Sequence, residues 1–228
     1  MPCVLFDIDG TLLDPPTAES RFIRYLLRNR HMGMQQIAQG LGFFLSNGLR
    51  YGRNTPRKNK AYLAGFDVAW IAGVAERFVT TEIIPGLRPG MEQRVKRHRA
   101  SAHIVCLLSG TPDFIAAPLA RHLGAEHWCA TLCRQEGGRY LAGAPLHHPF
   151  GDAKVTLGGE LCGRLGCRIE EATAYANSAD DIPLLRKVCH AVAVTPDKAL
   201  LREARSRRWE LVDATAGRKP GHTLTASG

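Results

Sequence analysis

No run of about 18 consecutive apolar residues occurs in this 228-residue chain, so no membrane-spanning helix is expected. Its N-terminus lacks the basic segment, apolar segment and small-residue cleavage site of a secretory leader, and enters a strand pattern at once. Cys-x-x-Cys is also missing. The seven cysteines, Cys3, Cys106, Cys129, Cys133, Cys162, Cys167 and Cys189, are odd in number and scattered. The spacings Cys129-x3-Cys133 and Cys162-x4-Cys167 are too loose for zinc, and several of the thiols sit in apolar runs where sulfur packs as a small hydrophobe. A reducing, cytoplasmic setting is expected. Aromatics make up only 7% of the chain and none is interleaved with a basic patch, so no nucleic-acid partner is expected. Leu157-Gly-Gly-Glu has neither the strand context nor the G-x-G-x-x-G spacing of a nucleotide loop.

Acidic residues are scarce in one region. The net charge is +9, and Pro15 to Ile84 holds six more Lys/Arg than Asp/Glu. Whatever meets that segment is expected to be acidic, such as a phosphorylated metabolite or an anionic lipid surface, unless the segment is simply a solvated basic face.

What is present is an α/β rhythm with one interruption. Val4 to Phe6 is a strand; Thr17–Arg30, Met34–Arg50 and Phe66–Ile83 carry apolar residues at three- and four-residue spacings. That much helix is far more than a simple crossover needs. From Pro85 the predicted elements are helix Met91–Arg99, strand His103–Leu108, helix Thr111–Leu123 with Thr111 as N-cap, and a hairpin flanking Gln-Glu-Gly-Gly. Strands Glu171–Ala176 and Ala191–Thr195 follow, around helix Ile182–Val188, with a last strand over Trp209–Val212. The fold class expected is α/β: a Rossmann-like parallel sheet core with an inserted helical cap domain. Residues 1–14 and 85–213 make the core, 15–84 the cap and 214–228 a loose tail. Ligands should bind outside the C-terminal ends of the strands.

The candidate chemistry falls there. Asp7 and Asp9 stand two apart at the end of an apolar run, on one side of the strand if it continues that far, with Gly10-Thr11 behind them. Two crowded acids call for a cation or a shared proton. Ile104 to Leu108 ends in Ser109-Gly110, a hydroxyl and a backbone N–H suited to an anion. Gly151-Asp-Ala-Lys154 places a lysine at a helix start, and Tyr175 to Leu185 runs from a strand through Asn177, Asp180 and Asp181 into a helix. His147-His148, shortly before Lys154, either approaches the site from a loop or is a solvated loop pair, and the solvated pair is the expectation.

Together and in this order, the four segments resemble the signatures of the haloacid dehalogenase superfamily, nearest its phosphoserine-phosphatase-like branch. The resemblance implies that Asp7 takes a phosphoryl group, that Asp9 is the acid/base, and that Thr11, Ser109, Gly110 and Lys154 hold the phosphate. It implies Mg²⁺ bound among Asp7, Asp9, Asn177, Asp180 and Asp181, and substrate choice by the cap. One departure stands out: the family has Asp where this chain has Asn177, whose amide oxygen can ligate a hard cation but brings no charge. Mg²⁺ binding is then weakened unless Asp180 compensates. The function expected is a Mg²⁺-dependent phosphatase acting on a small phosphate ester such as a phosphoserine- or histidinol-phosphate-like compound. The alternatives are a lipid-phosphate phosphatase at a membrane, for which apolar Ile37–Leu45 followed by basic Arg50–Lys60 speaks, or a non-catalytic phospholigand-binding protein.

Overall fold

A computed structural model describes residues 2–52 and 55–214. The expected tail beyond residue 214, and Arg53 of the basic run, lie outside the described residues.

The core is a six-stranded parallel sheet. Its strands are β1 (Cys3–Phe6), β2 (Ile104–Pro112), β3 (His127–Thr131), β6 (Thr173–Ala176), β7 (His190–Val194) and β8 (Glu210–Val212), in the order β3-β2-β1-β6-β7-β8. The chain steps from β1 to β2 in one direction and from β6 to β7 in the other. The crevice beyond the ends of β1 and β6 is therefore the switch point where such sheets take ligands.

Alternation along the strands divides the apolar residues between the two faces. Val4, Phe6, Val105 and Leu107 pack under α1 (Ala18–Arg28), α4 (Val68–Phe78), α5 (Pro89–Ala100) and α6 (Asp113–Leu123). Cys3, Leu5, Cys106 and Leu108 pack under α7 (Asp152–Arg164), α8 (Ile182–Leu185) and α9 (Lys198–Arg207). On that second face Gly158 lets α7 lie close, since a Cβ there would stand 2.9 Å from Leu108 Cδ2. None of the seven cysteines is in a disulfide, and burial among other thiols pushes Cys106 up to about 12, as befits packing groups.

Of the helices between β1 and α5, α1 and α4 are packed against this core. Phe22 of α1 lies fully buried with its ring 5.2 Å from that of Phe78 and 5.3 Å from that of Phe114, joining α1 to α4 and α6. Thr17 caps α1 and Asp67 caps α4 through their side chains. By contrast α2 (Met34–Tyr51) buries only Phe43. The short α3 (Thr55–Lys58) follows it.

Two element assignments differ from the sequence reading. His127–Thr131 is not an arm of a hairpin but β3, parallel to β2 with Cys106 opposite His127. The hairpin is the smaller pair β4 (Gln135–Glu136) and β5 (Arg139–Tyr140), turned through Gly137 and Gly138 at φ 55° and 76°. It leans on the segment before α4: the Val68 amide donates to Gly138 O at 2.9 Å and the Tyr140 amide to Phe66 O at 2.9 Å. Thr111 is not a helix N-cap either. β2 continues through it to Pro112, and α6 begins at Asp113, because the hydroxyl of Thr111 is engaged elsewhere.

Phe22→Ala should cost about 3–5 kcal/mol, the usual loss for a buried aromatic. Urea denaturation would register it as a lower midpoint at unchanged slope. A loss under about 1 kcal/mol would show that α1 docks without this ring.

Candidate active site

β1 is buried and central, and Asp7 extends it by one position, its amide donating to Tyr175 O at 3.0 Å. In the alternation of β1 it belongs with Cys3 and Leu5, on the face covered by α7. Lys154 reaches it from the first turn of α7, one turn before Gly158. The ammonium donates to Asp7 Oδ1 at 2.8 Å and to Asp181 Oδ1 at 2.7 Å, and all three groups are buried. Burial pushes the Asp7 carboxyl up to about 6, although Lys154 draws it down. Burial works against the Lys154 charge as well, but Asp181 and Asp7 outweigh it and raise its affinity for the proton.

Asp9 does not share the Asp7 surroundings, as a continuous strand would require. The chain turns, with Gly10 at φ 84° in the left-handed region, and a Cβ on Gly10 would stand 2.1 Å from Asn177 Nδ2. Asp9 Oδ1 accepts from the Ala18 amide at 2.6 Å, at the start of α1. Its Oδ2 accepts from Thr111 Oγ1 at 2.8 Å, and Thr111 Oγ1 lies 3.2 Å from Ser109 Oγ. Burial raises the Asp9 carboxyl above its ordinary value, and these two donors only partly counter it.

Thr11 Oγ1 sits between Asp7 Oδ2 at 3.4 Å and Asn177 Oδ1 at 3.5 Å, so those two oxygens approach a common point. A cavity of about 440 Å³ opens over Asp7, Asp9, Ser109, Gly110, Lys154 and Asn177. Asp180 is at its mouth, where Oδ2 pairs with Arg57 of α3 at 3.1 Å and accepts from Ser178 Oγ at 3.3 Å. The guanidinium of Arg57 also lies 4.2 Å from the centre of the Phe150 ring. The predicted residues other than fully buried Thr11 are thus gathered around one cavity, but Asp180 faces Arg57 and Asp181 faces Lys154.

The family model described as haloacid dehalogenase-like hydrolase matches residues 4–186, most of the chain. The chain belongs to this family. The hydrolase is 30% identical to the Mycobacterium tuberculosis protein named phosphoserine phosphatase SerB1, over 94% of this chain and 71% of that one. It is 25% identical to a protein named histidinol-phosphatase from Neisseria meningitidis, over 92% and 97% of the two chains. Among solved structures it is similar to a Bordetella pertussis protein of unknown function, with TM-score 0.79, 26% identity and 93% and 99% of the chains covered. An apo phosphoserine phosphatase shares the fold at TM-score 0.58 and 17% identity, over 92% of each chain.

Two residues beside the cavity carry no signal of it in the sequence. The Thr-Pro pair predicts a helix cap at Thr111, and only its bond to Asp9 reveals the role it has. Arg57 looked like one basic residue in a run. Of the two readings of His147-His148, solvation holds for exposed His147, whereas His148 lines the cavity. Thr131 Oγ1 donates its one hydrogen to Gly110 O at 2.6 Å, so it accepts from His148 Nδ1 at 2.7 Å. Nε2 is therefore the bare nitrogen, and it is buried without a protein partner. Burial and the cations Lys60, Lys58, Arg57 and Lys154 push His148 down to about 3, keeping it neutral. No signal in the sequence distinguished it from its neighbour.

Lys154→Met leaves Asp7 and Asp181 buried with no counter-ion, so the proton affinity of Asp7 in the folded state, already raised by burial, rises further above the unfolded one. Stability then falls as pH rises through that window. In a metal chelator, the variant's deficit should grow between about pH 4 and pH 8 to about 3–5 kcal/mol. Chemical denaturation across that range checks it; a deficit independent of pH would mean that these carboxylates do not depend on Lys154.

Proposed function

We propose that this hydrolase is a Mg²⁺-dependent phosphomonoesterase acting through an aspartyl-phosphate on Asp7, with residues 15–84 as a cap over a core of 1–14 and 85–213. The observation that carries the reading is the unlike treatment of the two carboxylates. Asp7 is tied to an ammonium, which favours the ionised form a nucleophile needs. Asp9 is tied only to neutral donors, a backbone amide and a hydroxyl, and burial favours the protonated form an acid needs.

The sequence of steps follows. Asp7 attacks phosphorus while Asp9 gives its proton to the departing ester oxygen. Asp9 then takes a proton from water, which attacks the acyl-phosphate, releasing phosphate and the free Asp7 carboxylate. The Thr111 hydroxyl serves both states of Asp9, since it can donate to the carboxylate or accept from the acid, with Ser109 taking the complementary role. Lys154, the Ser109 hydroxyl, the Gly110 amide and Thr11 would face the phosphoryl oxygens.

The donor set fits Mg²⁺. Among the described residues no three His, Cys, Asp or Glu side chains form a metal cage. Mg²⁺ does not require one, since it commonly takes one or two protein carboxylates and completes its shell with waters and substrate phosphate. Asp7 Oδ2 and Asn177 Oδ1 both approach Thr11 Oγ1, at 3.4 and 3.5 Å, which puts a carboxylate and an amide oxygen side by side. Asp7 and Asn177 would hold the ion, which would neutralise phosphoryl charge. Asp9 has both carboxylate oxygens in use, and Asp180 and Asp181 are paired with cations.

The substrate class is a phosphate ester, and the names of the relatives support a phosphoserine- or histidinol-phosphate-like compound. A cytoplasmic location agrees with seven cysteines that form no disulfide, and among the described residues no helix is long and apolar enough to cross a membrane. A non-catalytic binding protein is disfavoured, because binding alone needs no acid beside the nucleophile.

With Mg²⁺ and para-nitrophenyl phosphate, Asp7→Asn should abolish phosphate release and Asp9→Asn should lower kcat by about 10²–10⁴. Undiminished turnover by purified Asp7→Asn would falsify the mechanism. Calorimetric titration should find tighter Mg²⁺ binding in Asn177→Asp than in the parent; equal affinity would mean that position 177 does not meet the ion.

A further inference from the structure

A second cavity of about 480 Å³ adjoins the first, and Glu19, Ser20 and Pro56 line both. The charge of Glu19 is balanced by buried Lys60, to which it is paired, and by a hydrogen bond of 2.9 Å from Tyr62 Oη. Beyond this neutralised septum the groove between α1 and α2 is mainly apolar, walled by Ile23, Leu27, Met32, Ile37, Leu41 and Phe44, with Gln36 and Asn59 as polar exceptions. Its size is that of a ligand pocket. A phosphorylated amino acid or amino alcohol would leave it filled only with water.

Helix α2 continues this apolar wall onto the outer surface. Met34, Ile37, Leu41, Leu45 and Leu49 recur at spacings of three and four, and Met34, Leu45 and Leu49 are 84%, 81% and 105% exposed. Leu41 belongs to both the groove and the stripe. No acidic residue occurs from Ser20 to Phe66, a span with nine Lys and Arg. Exposed Arg30 precedes the stripe in the chain and exposed Arg50 ends it. An apolar helix face flanked by cations and free of acids suits the surface of an anionic bilayer.

We propose that the site takes a single-chain lipid phosphomonoester from an anionic membrane. The phosphate lies over Asp7, the acyl chain crosses Ser20 and Pro56 into the groove, and the outer stripe of α2 rests on the bilayer that supplies the lipid. This rests on the phosphatase reading and names its substrate. The bond broken is the P–O ester bond; the lipid alkoxide leaves with the Asp9 proton, and water supplies the oxygen of the released phosphate.

The test compares glycerol 3-phosphate with 1-acyl-glycerol 3-phosphates of rising chain length, below their micelle concentrations and with Mg²⁺. The value of kcat/KM should rise roughly tenfold for each pair of methylenes that the groove buries. The rise should flatten in Ile37→Ser/Leu41→Ser/Phe44→Ser. The parent should sediment with equimolar phosphatidylcholine–phosphatidylglycerol vesicles but not with phosphatidylcholine alone, and Leu45→Ser/Leu49→Ser, altered only at exposed positions, should remain in the supernatant. Indifference to chain length would overturn the proposal. So would a dimer, seen by light scattering, that the Leu45→Ser/Leu49→Ser protein loses while the parent ignores vesicles. If no ester is hydrolysed, para-nitrophenyl phosphate included, the phosphatase reading fails by itself. Sedimentation then decides the surface: binding that needs Leu45 and Leu49 supports it, and none overturns it.

Discussion

The Lys154 ammonium, held between the buried carboxylates of Asp7 and Asp181, is the interaction on which the rest of the site depends. Stripping water from three charges is costly, and only close mutual pairing makes it tolerable. Each partner arrives from a different element: Asp7 from the end of β1, Asp181 from the turn after β6, Lys154 from the first turn of α7. The approach of α7 is in turn set by Gly158, which leaves room for Leu108 one helical turn further on. A small change in that packing would move the ammonium away from both acids. The triad thus fixes the distance between the sheet and the helix layer that covers one face.

The other face holds the second carboxylate. Phe22, Phe78 and Phe114 lock α1 and α4 to α6, and this brings the first amide of α1 to Asp9. The two carboxylates therefore come from one turn of chain but answer to opposite layers of the protein. Gly10 makes the division possible. Its left-handed backbone reverses the chain, and its bare Cα leaves the space that the Asn177 amide fills.

Much of this could be read from the chain because local chemistry and tertiary packing agree. Strands β1, β2, β6 and β7 are apolar runs that end in polar residues at the switch point, and Asp7, Ser109, Lys154 and Asn177 needed only their order to be placed together. Errors arose where a tertiary partner overrode a local pattern. Thr111-Pro112 has the look of a helix start, yet Asp9 claims the threonine hydroxyl and the strand carries on. His127–Thr131 beside a Gly-Gly turn suggests a hairpin, yet burial of Ala130 and Thr131 draws it into the sheet. Asp180 has the composition of a metal ligand, yet Arg57, remote in sequence, pairs with it. His148 and His147 differ only in what folds over them.

The bond from the Ala18 amide to Asp9 Oδ1 makes the position of α1 and the protonation of Asp9 a single thermodynamic variable. A donor withdrawn from a carboxylate raises its proton affinity. Were α1 to swing away, Asp9 would hold its proton more firmly; as α1 docks, the same proton becomes easier to release. By reciprocity, an ionised Asp9 pulls the helix inward more strongly than a protonated one. The docking of α1 and the charge on Asp9 are thereby coupled through the first amide of a helix, with no further residue needed.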